Sequence, residues 1–172
     1  VVLFEKGEKL GKKILISGNG RCNITNRTAD DVRHYHGAPP LFMQSVLNYL
    51  PLSQTLSFFS DLGVEVHEEK RGRLFPQSNQ AQSVVDVLAD RLHQLGVRIC
   101  LDTEIKAVNK ANYFRLETTK GQLYQSERLI MASGGISAGK MGADGRGMEM
   151  AVDLGHEMTE LKPGLVALES KE

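Results

Sequence analysis

Glycine placement constrains this chain more than any other feature, because the glycines are gathered rather than spread. Of 17, four fall between Gly7 and Gly20 and six between Gly134 and Gly147, so ten occupy two windows of 14 residues each. Glycine reaches left-handed backbone conformations at no steric cost and lets another molecule approach the main chain closely. Two such windows are where a chain that needs close backbone approach to a ligand would put them. The rest of the composition is ordinary. With 172 residues and 41% hydrophobic content, there is room for one medium globular domain, or one domain and the stub of another, and a disordered tail is excluded. The 21 Lys+Arg balance the 21 Asp+Glu, so no bulk charge draws the chain to nucleic acid or to an anionic membrane surface. The expected partner is a small-molecule substrate met at a local site, with no nucleic acid and no membrane.

Cys22 and Cys100 are far apart and form no CxxC pair, so neither a disulfide framework nor a zinc cluster is expected. No apolar run approaches the roughly 18 residues of a membrane helix. The first residues, VVLFEKGEK, carry their charges after the apolar stretch, the reverse of a signal peptide, and the expected location is cytoplasmic. The chain opens inside an apolar strand without Met, which suggests an upstream segment.

The pattern predicts a short buried strand over 1–4 and a brief apolar turn and loop across GKKILISGNGRCNITN at 11–26. Helices follow from Pro39-Pro40 through Leu50, and from Ser53 with Gly63 as its stop. Strands are predicted at 64–67 and 73–75, with Arg71-Gly72 turning between them. Asn79 is read as the cap of a long helix, with Gln82 three residues on. Its apolar stripe is Val84, Val85, Leu88, Leu92 and Leu95, and Gly96 ends it. A strand over 97–101 then supplies the αβ half of a βαβ unit. Segments 104–108, 113–118 and 122–125 have hairpin spacing. Residues 129–132 suit a central strand, a helix runs over 147–154 to Gly155, and strands are expected at 158–161 and 165–168.

Several clusters invite a chemical reading. VVLFE ends an apolar strand in Glu5, as the second strand of a dinucleotide-binding fold does when its carboxylate accepts from ribose hydroxyls; edge strands also end in Glu for other reasons. GNGRCNITN packs Arg21, Cys22 and Asn23 beside Gly18 and Gly20. That is either a donor-rich cradle for a phosphate or polar ring edge, or a surface loop with a solvated Arg21. Cys22 as a nucleophile lacks an evident base and reads better as a small buried side chain. Apolar LIMA running into Ser133-Gly134-Gly135 matches a turn at the carboxyl end of a parallel strand. Asp144 is an N-cap or a cofactor ligand, His34 and His36 are exposed rather than metal-binding, and Arg71 and Arg73, on one strand face, either contact an anionic group or, the commoner case, lie on a solvated strand edge. No metal site is expected.

These pieces, in this order, resemble a bacterial family of FAD-dependent oxidoreductases described as aminoacetone-oxidase-like or BaiN-like NAD(P)/FAD-dependent flavoproteins. The carriers are EKGEKLGKKILISGNGRCNITN at 5–26, GRLFPQSNQAQSVVDVL at 72–88, LIMASGGIS at 129–137 and LGHEMTELKPGLVAL at 154–168. The resemblance implies an α/β fold, a Rossmann-like FAD-binding domain of glutathione-reductase type with a β-meander, truncated at both ends. It implies a partial FAD-binding domain over 1–162 and the start of an inserted, mostly-β substrate domain over 163–172.

The resemblance also assigns roles. Glu5 would hold the adenosine ribose with Lys6 beside it. Lys13, Ser17 and the loop of Gly20, Arg21, Cys22 and Asn23 would lie along the pyrophosphate and the isoalloxazine edge. Ile105 would touch adenine through its backbone, and Ser133, Gly134 and Gly135 would form the turn approaching the cofactor. FAD is the implied cofactor and NAD(P)H the candidate electron donor; no residue is nominated as catalytic acid or base. One departure is local: where the family pattern is like GSTGDG, this chain has KMGADG at 140–145, so Ala143 replaces a Thr and its hydroxyl is lost. The other is the absence of the first βα unit with its glycine-rich phosphate loop. The leading expectation is an FAD-dependent oxidoreductase passing hydride from a reduced donor to a small molecule. The alternative is a non-catalytic nucleotide-binding or interaction module, and a third reading is a hydrolase using Cys22.

Overall fold

The computed structural model describes residues 1–137 and 139–162, and the chain divides into two compact units, Val1–Asp102 and Thr103–Glu172. In the first, β1 (Val2–Phe4) pairs in parallel with β5 (Arg98–Cys100), Leu3 facing Ile99. This is the parallel pairing that the predicted βαβ half requires, and Glu5 extends it by donating its N–H to the Cys100 carbonyl at 3.0 Å. β1 is not the buried strand expected. Among the described residues it pairs with β5 alone, and Val2 is left exposed.

The segment read as a brief turn is a short helix, α1 (Lys12–Ile16). It enters through Gly11 at φ +73°, and a Cβ there would come within 2.6 Å of Val85 Cγ2. The glycine therefore lets α1 lie against α4 (Ala81–Gln94). Helices α2 (Pro40–Tyr49) and α3 (Leu52–Asp61) each follow a proline that presets φ at their start. A second sheet is antiparallel, with β4 (Arg73–Pro76) between β2 (Thr25–Asn26) and β3 (Val66–Glu69). β4 is thus a central strand and not the solvated edge expected. Leu74 and Phe75 are almost wholly buried on it. Arg71 does not share its face, since it lies in the connecting turn at φ +65°. The core joins Cys22, Val64, Ala81 and Val84, with Ile14, Leu15, Ile24 and Phe59 packed against them.

Two details of α4 differ from expectation. Gln80, not Asn79, occupies the cap position, and no side chain caps there. Asn79 has turned left-handed, at φ +51°, and Gln82 bonds forward to Asp86 at 2.7 Å. The apolar stripe holds at Val84 and Val85, but Leu95 is exposed because the helix has ended and the chain reverses. Gly63 and Gly96 make that reversal in the same way. Both are left-handed, and the next residue donates back five positions, Val64 to Phe59 O at 2.8 Å and Val97 to Leu92 O at 3.0 Å. This satisfies helix-end carbonyls without a side chain.

In the second unit β6 (Ile105–Lys110), β7 (Phe114–Thr118) and β8 (Leu123–Ser126) form an antiparallel meander, with a bulge at Lys106. The β7–β8 turn uses Gly121 at φ +76°. Its one buried polar residue, Thr118, is satisfied there by accepting from Gln122 N–H at 3.0 Å. The run 129–132 is not a strand. It joins no described ladder, and Ile130 is 89% exposed; apolarity alone does not make a strand without a partner edge. α5 (Arg146–Asp153) ends at left-handed Gly155, with His156 donating back to Ala151 O at 3.0 Å. Residues 158–161 are likewise not a strand. The strand expected at 165–168 and the substrate-domain start expected at 163–172 lie outside the described residues.

Candidate functional site

In the first unit the predicted residues gather at two neighbouring stretches, the end of β1 and the loop after α1. At the first, Glu5 Oε1 accepts from Gly7 N–H at 2.7 Å, so the carboxylate is held by its own chain. A Cβ on Gly7 would meet Lys12 Nζ at 2.7 Å and Glu5 Oε1 at 3.1 Å, which places an acid and a base over one glycine. Lys6 and Lys13 are exposed. The Ser17 hydroxyl is turned inward, donating to Ile14 O at 2.7 Å.

The loop Gly18–Asn23 is built from left-handed residues: Gly18 (φ +56°), Asn19 (+58°), Gly20 (+81°) and Cys22 (+63°). Asn tolerates that region and Gly is at home there, but Cys is uncommon in it. The fold holds it there through burial, at 7% exposure, and through its N–H, which donates to Ser17 O at 2.9 Å. Burial pushes the Cys22 thiol up, and a hydrogen bond with Ser17 offsets part of that. A protonated, buried thiol is a poor nucleophile, which agrees with the small-buried-residue reading. The Gly20 carbonyl accepts from Ala81 N–H at 2.9 Å, tying the loop to the start of α4. The Asn23 amide nitrogen, in the orientation that satisfies both ends of the group, donates to Thr25 O at 2.9 Å and Leu74 O at 3.1 Å. That amide nitrogen thus holds the loop to β4.

Arg21 is not the solvated side chain of a surface loop. Its Nη1 donates to Glu69 Oε1 at 2.5 Å, its Nη2 to Glu69 Oε2 at 3.4 Å, and its Nε to Gly18 O at 3.4 Å. The guanidinium carbon lies 4.2 Å from the centroid of the buried Phe75 ring, a cation–π contact. Arg73 approaches the same ring at 5.7 Å and Glu69 Oε2 at 3.6 Å. The Arg21 guanidinium beside Glu69 holds that carboxyl below its ordinary range. His67 stacks on Phe75, with Nε2 3.8 Å from Glu69 and a buried Nδ1 that has no partner.

Glu69, Phe75 and His67 are the residues that sequence reasoning missed here. An arginine in a glycine loop calls for a nearby anion, and Glu68-Glu69 is the acidic pair closest to the GRLFP stretch. No local pattern brings it 48 positions back to Arg21.

In the second unit Ser133 and Gly134 line an open depression of about 470 Å³ together with Met131, Gly147 and Met148. Gly134 is left-handed at φ +79°, and open space surrounds the Cβ position of Gly135. The Ser133 hydroxyl rests on Gly147, where a Cβ would collide with it. Asp144 is not the N-cap expected: Gly145, left-handed, holds that position with no side-chain cap, and Asp144 Oδ1 accepts from Arg146 N–H at 3.2 Å from one residue earlier. Ala143 is buried. Ile105 opens β6 and pairs with Thr118. His34 and His36 are exposed, and no group of three or more His, Cys, Asp or Glu suited to a metal occurs among the described residues. No helix among them is long and apolar enough to cross a membrane.

Residues 1–171 match the family model described as the HI0933-like protein Rossmann domain. The chain is 36% identical over 171 residues to the 3-dehydro-bile acid delta(4,6)-reductase of Clostridium scindens, covering 99% of this chain and 41% of that protein. It is 32% identical over 166 residues to the ribosomal RNA dihydrouridine synthase of Escherichia coli, covering 96% and 41%. To the protein of the same name from Haemophilus influenzae it is 30% identical over 177 residues, covering 100% and 43%. The chain therefore spans about two fifths of the length of these relatives.

Proposed function

Since this chain belongs to the HI0933-like Rossmann-domain family, and with it to the BaiN-like flavoproteins that its motifs resemble, we propose that it is the nucleotide-binding part of an FAD-dependent oxidoreductase. The observation that carries this is the end of β1. A parallel strand delivers Glu5 with its carboxylate held by Gly7 N–H, and a left-handed loop built on Gly18 and Gly20 follows it.

The donor set fits such a cofactor. Glu5 is the acceptor suited to ribose hydroxyls, and Lys6, Lys13 and the backbone around Gly20 offer positive charge and main-chain approach to a pyrophosphate. Arg21 has five N–H donors, of which three are committed within the described residues; one N–H on each terminal nitrogen remains for a polar ring edge. In the second unit, Gly135 has open space around its Cβ position, and Ser133, Gly134 and Gly135 are proposed as a cofactor-approach turn. A bound flavin supplies the hydride chemistry, drawn from NAD(P)H, while the protein orients it and tunes its electronics. The role of Arg21 is to place positive charge where negative charge grows in the reduced ring. The glutathione-reductase type of the domain belongs to the same reading.

Two substrate classes follow from the relatives. The names delta(4,6)-reductase and dihydrouridine synthase both describe adding two hydrogens across a carbon–carbon double bond. The balanced charge of the chain favours a small unsaturated ketone. The two dihydrouridine synthases favour an RNA base as the second reading.

The test is to purify the full-length protein, record its visible spectrum, and supply NADH or NADPH with a conjugated enone or with ribosomal RNA lacking dihydrouridine. A yellow preparation that adds two hydrogens to either one, detected by mass, supports the proposal and separates the substrates. A colourless protein that FAD cannot reconstitute overturns it in favour of a non-catalytic module.

A further inference from the structure

We propose that Glu69 is the positioning residue for Arg21, fixing its guanidinium so that the two N–H donors left uncommitted keep one orientation for the flavin. The inference rests on the flavin-site reading above and deepens it. Four observations meet at this pair. The carboxylate takes one N–H from each terminal nitrogen in a forked arrangement, the geometry that arginine forms and lysine cannot. The Nε N–H is taken by Gly18 O within the loop itself. Phe75, 1% exposed, lies beneath the guanidinium and closes that face. With three donors committed and one face covered, the group has one orientation left.

The fourth observation is charge. Arg73 also approaches Glu69, so two guanidinium groups share one carboxylate, and His67 stacks on the same ring. Glu69 therefore orients Arg21 without cancelling the positive charge of the cluster. A carboxylate serving only to neutralise the loop would need no second arginine. Glu69 sits at the end of β3, and its strand partner Arg73 opens β4, the strand that carries Phe75. One hairpin thus supplies the anion, the second cation and the aromatic floor.

The test is a double-mutant cycle in the full-length protein, with FAD affinity of the apoprotein measured by fluorescence titration and the flavin midpoint potential measured on the holoprotein. Glu69→Gln is expected to weaken FAD binding about tenfold, as expected for losing a hydrogen bond to a charged group, and to lower the potential in the same direction as Arg21→Ala. Once Arg21 is alanine, Glu69→Gln is expected to change neither quantity further. Equal effects of Glu69→Gln in both backgrounds overturn the proposal, because Glu69 then acts independently of Arg21. No effect of Glu69→Gln beside a clear effect of Arg21→Ala overturns it too. If Glu69→Gln does not fold, Arg21→Lys decides: a loss matching Arg21→Ala supports the forked geometry, and full retention overturns it. A wild-type protein that neither carries nor takes up FAD overturns the flavin reading itself, which is a separate outcome.

Discussion

The edge of the Phe75 ring lies beneath Gly18, so that a Cβ added to the glycine would come within 2.7 Å of Phe75 Cε1 and of the Asn23 backbone nitrogen. The one ring thus meets the glycine at its edge and the guanidinium on its face, and the glycine has no room for a side chain. Gly18→Ala adds a Cβ in left-handed backbone as well as a clash. It is expected to cost about 2–4 kcal/mol, combining roughly 1 kcal/mol for conformation with overpacking of about 1–3 kcal/mol. Gly20→Ala is the control: also left-handed, but its nearest neighbour would be Leu15 O at 3.9 Å, and about 1 kcal/mol is expected. Urea denaturation midpoints compare the two, and equal losses would refute the packing argument.

The contact between Ser133 and Gly147 makes a second, independent case. Gly147 lies inside α5, where alanine is ordinarily the better residue by about 1 kcal/mol. Because the Ser133 hydroxyl occupies the space, Gly147→Ala is expected to destabilise instead. Adding Ser133→Gly to it is expected to restore stability. Thermal unfolding of both variants reads this, and a stabilising single mutant would show that the hydroxyl moves aside freely.

Much of this architecture is legible in the residues themselves, for a physical reason that varies by element. Gly63, Gly96 and Gly155 mark helix ends because a left-handed reversal is a local event that glycine alone satisfies easily. The meander is legible for the same reason, since hairpin spacing and Lys120-Gly121 are short-range. What fails is long-range. The pairing of Arg21 with Glu69 and the central place of β4 depend on which strands meet. The run at 129–132 has the composition of a core strand but no described ladder to join. Asn79 misled because a residue suited to capping is equally suited to the left-handed turn just before the cap.

Acid should reveal the Glu69 bond. Its carboxyl is held below the ordinary range by Arg21, so the folded state binds the proton less tightly than the unfolded chain. Its contribution is fully present above the usual carboxylate range of about 4 and is lost as pH falls through the depressed value. Wild-type stability is therefore expected to exceed that of Glu69→Gln at pH 7 and to approach it as pH falls below the ordinary carboxylate range. A gap unchanged from pH 7 down to pH 2 would contradict the assignment.

Cys22 carries the opposite sign. Burial raises its thiol, so the folded state holds the proton more tightly. The associated stability is present below the usual thiol range of about 8.5 and lost as pH rises through the raised value. At pH 8 iodoacetamide is expected to label Cys22 far more slowly in the native protein than in urea. Native labelling at the denatured rate would mean that the thiol is open to solvent.

The left-handed backbone at Cys22 has a consequence for which side chains that position can accept. A branched Cβ is excluded by conformation, a long side chain by burial, and a charged one by the apolar neighbours Val64, Ala81 and Val84. Alanine, serine and cysteine are what remain, beside the glycine that would loosen the loop. Sulfur chemistry need not enter: a library randomised at this codon and sorted for folded protein should return small, unbranched residues whether or not any of them can be oxidised.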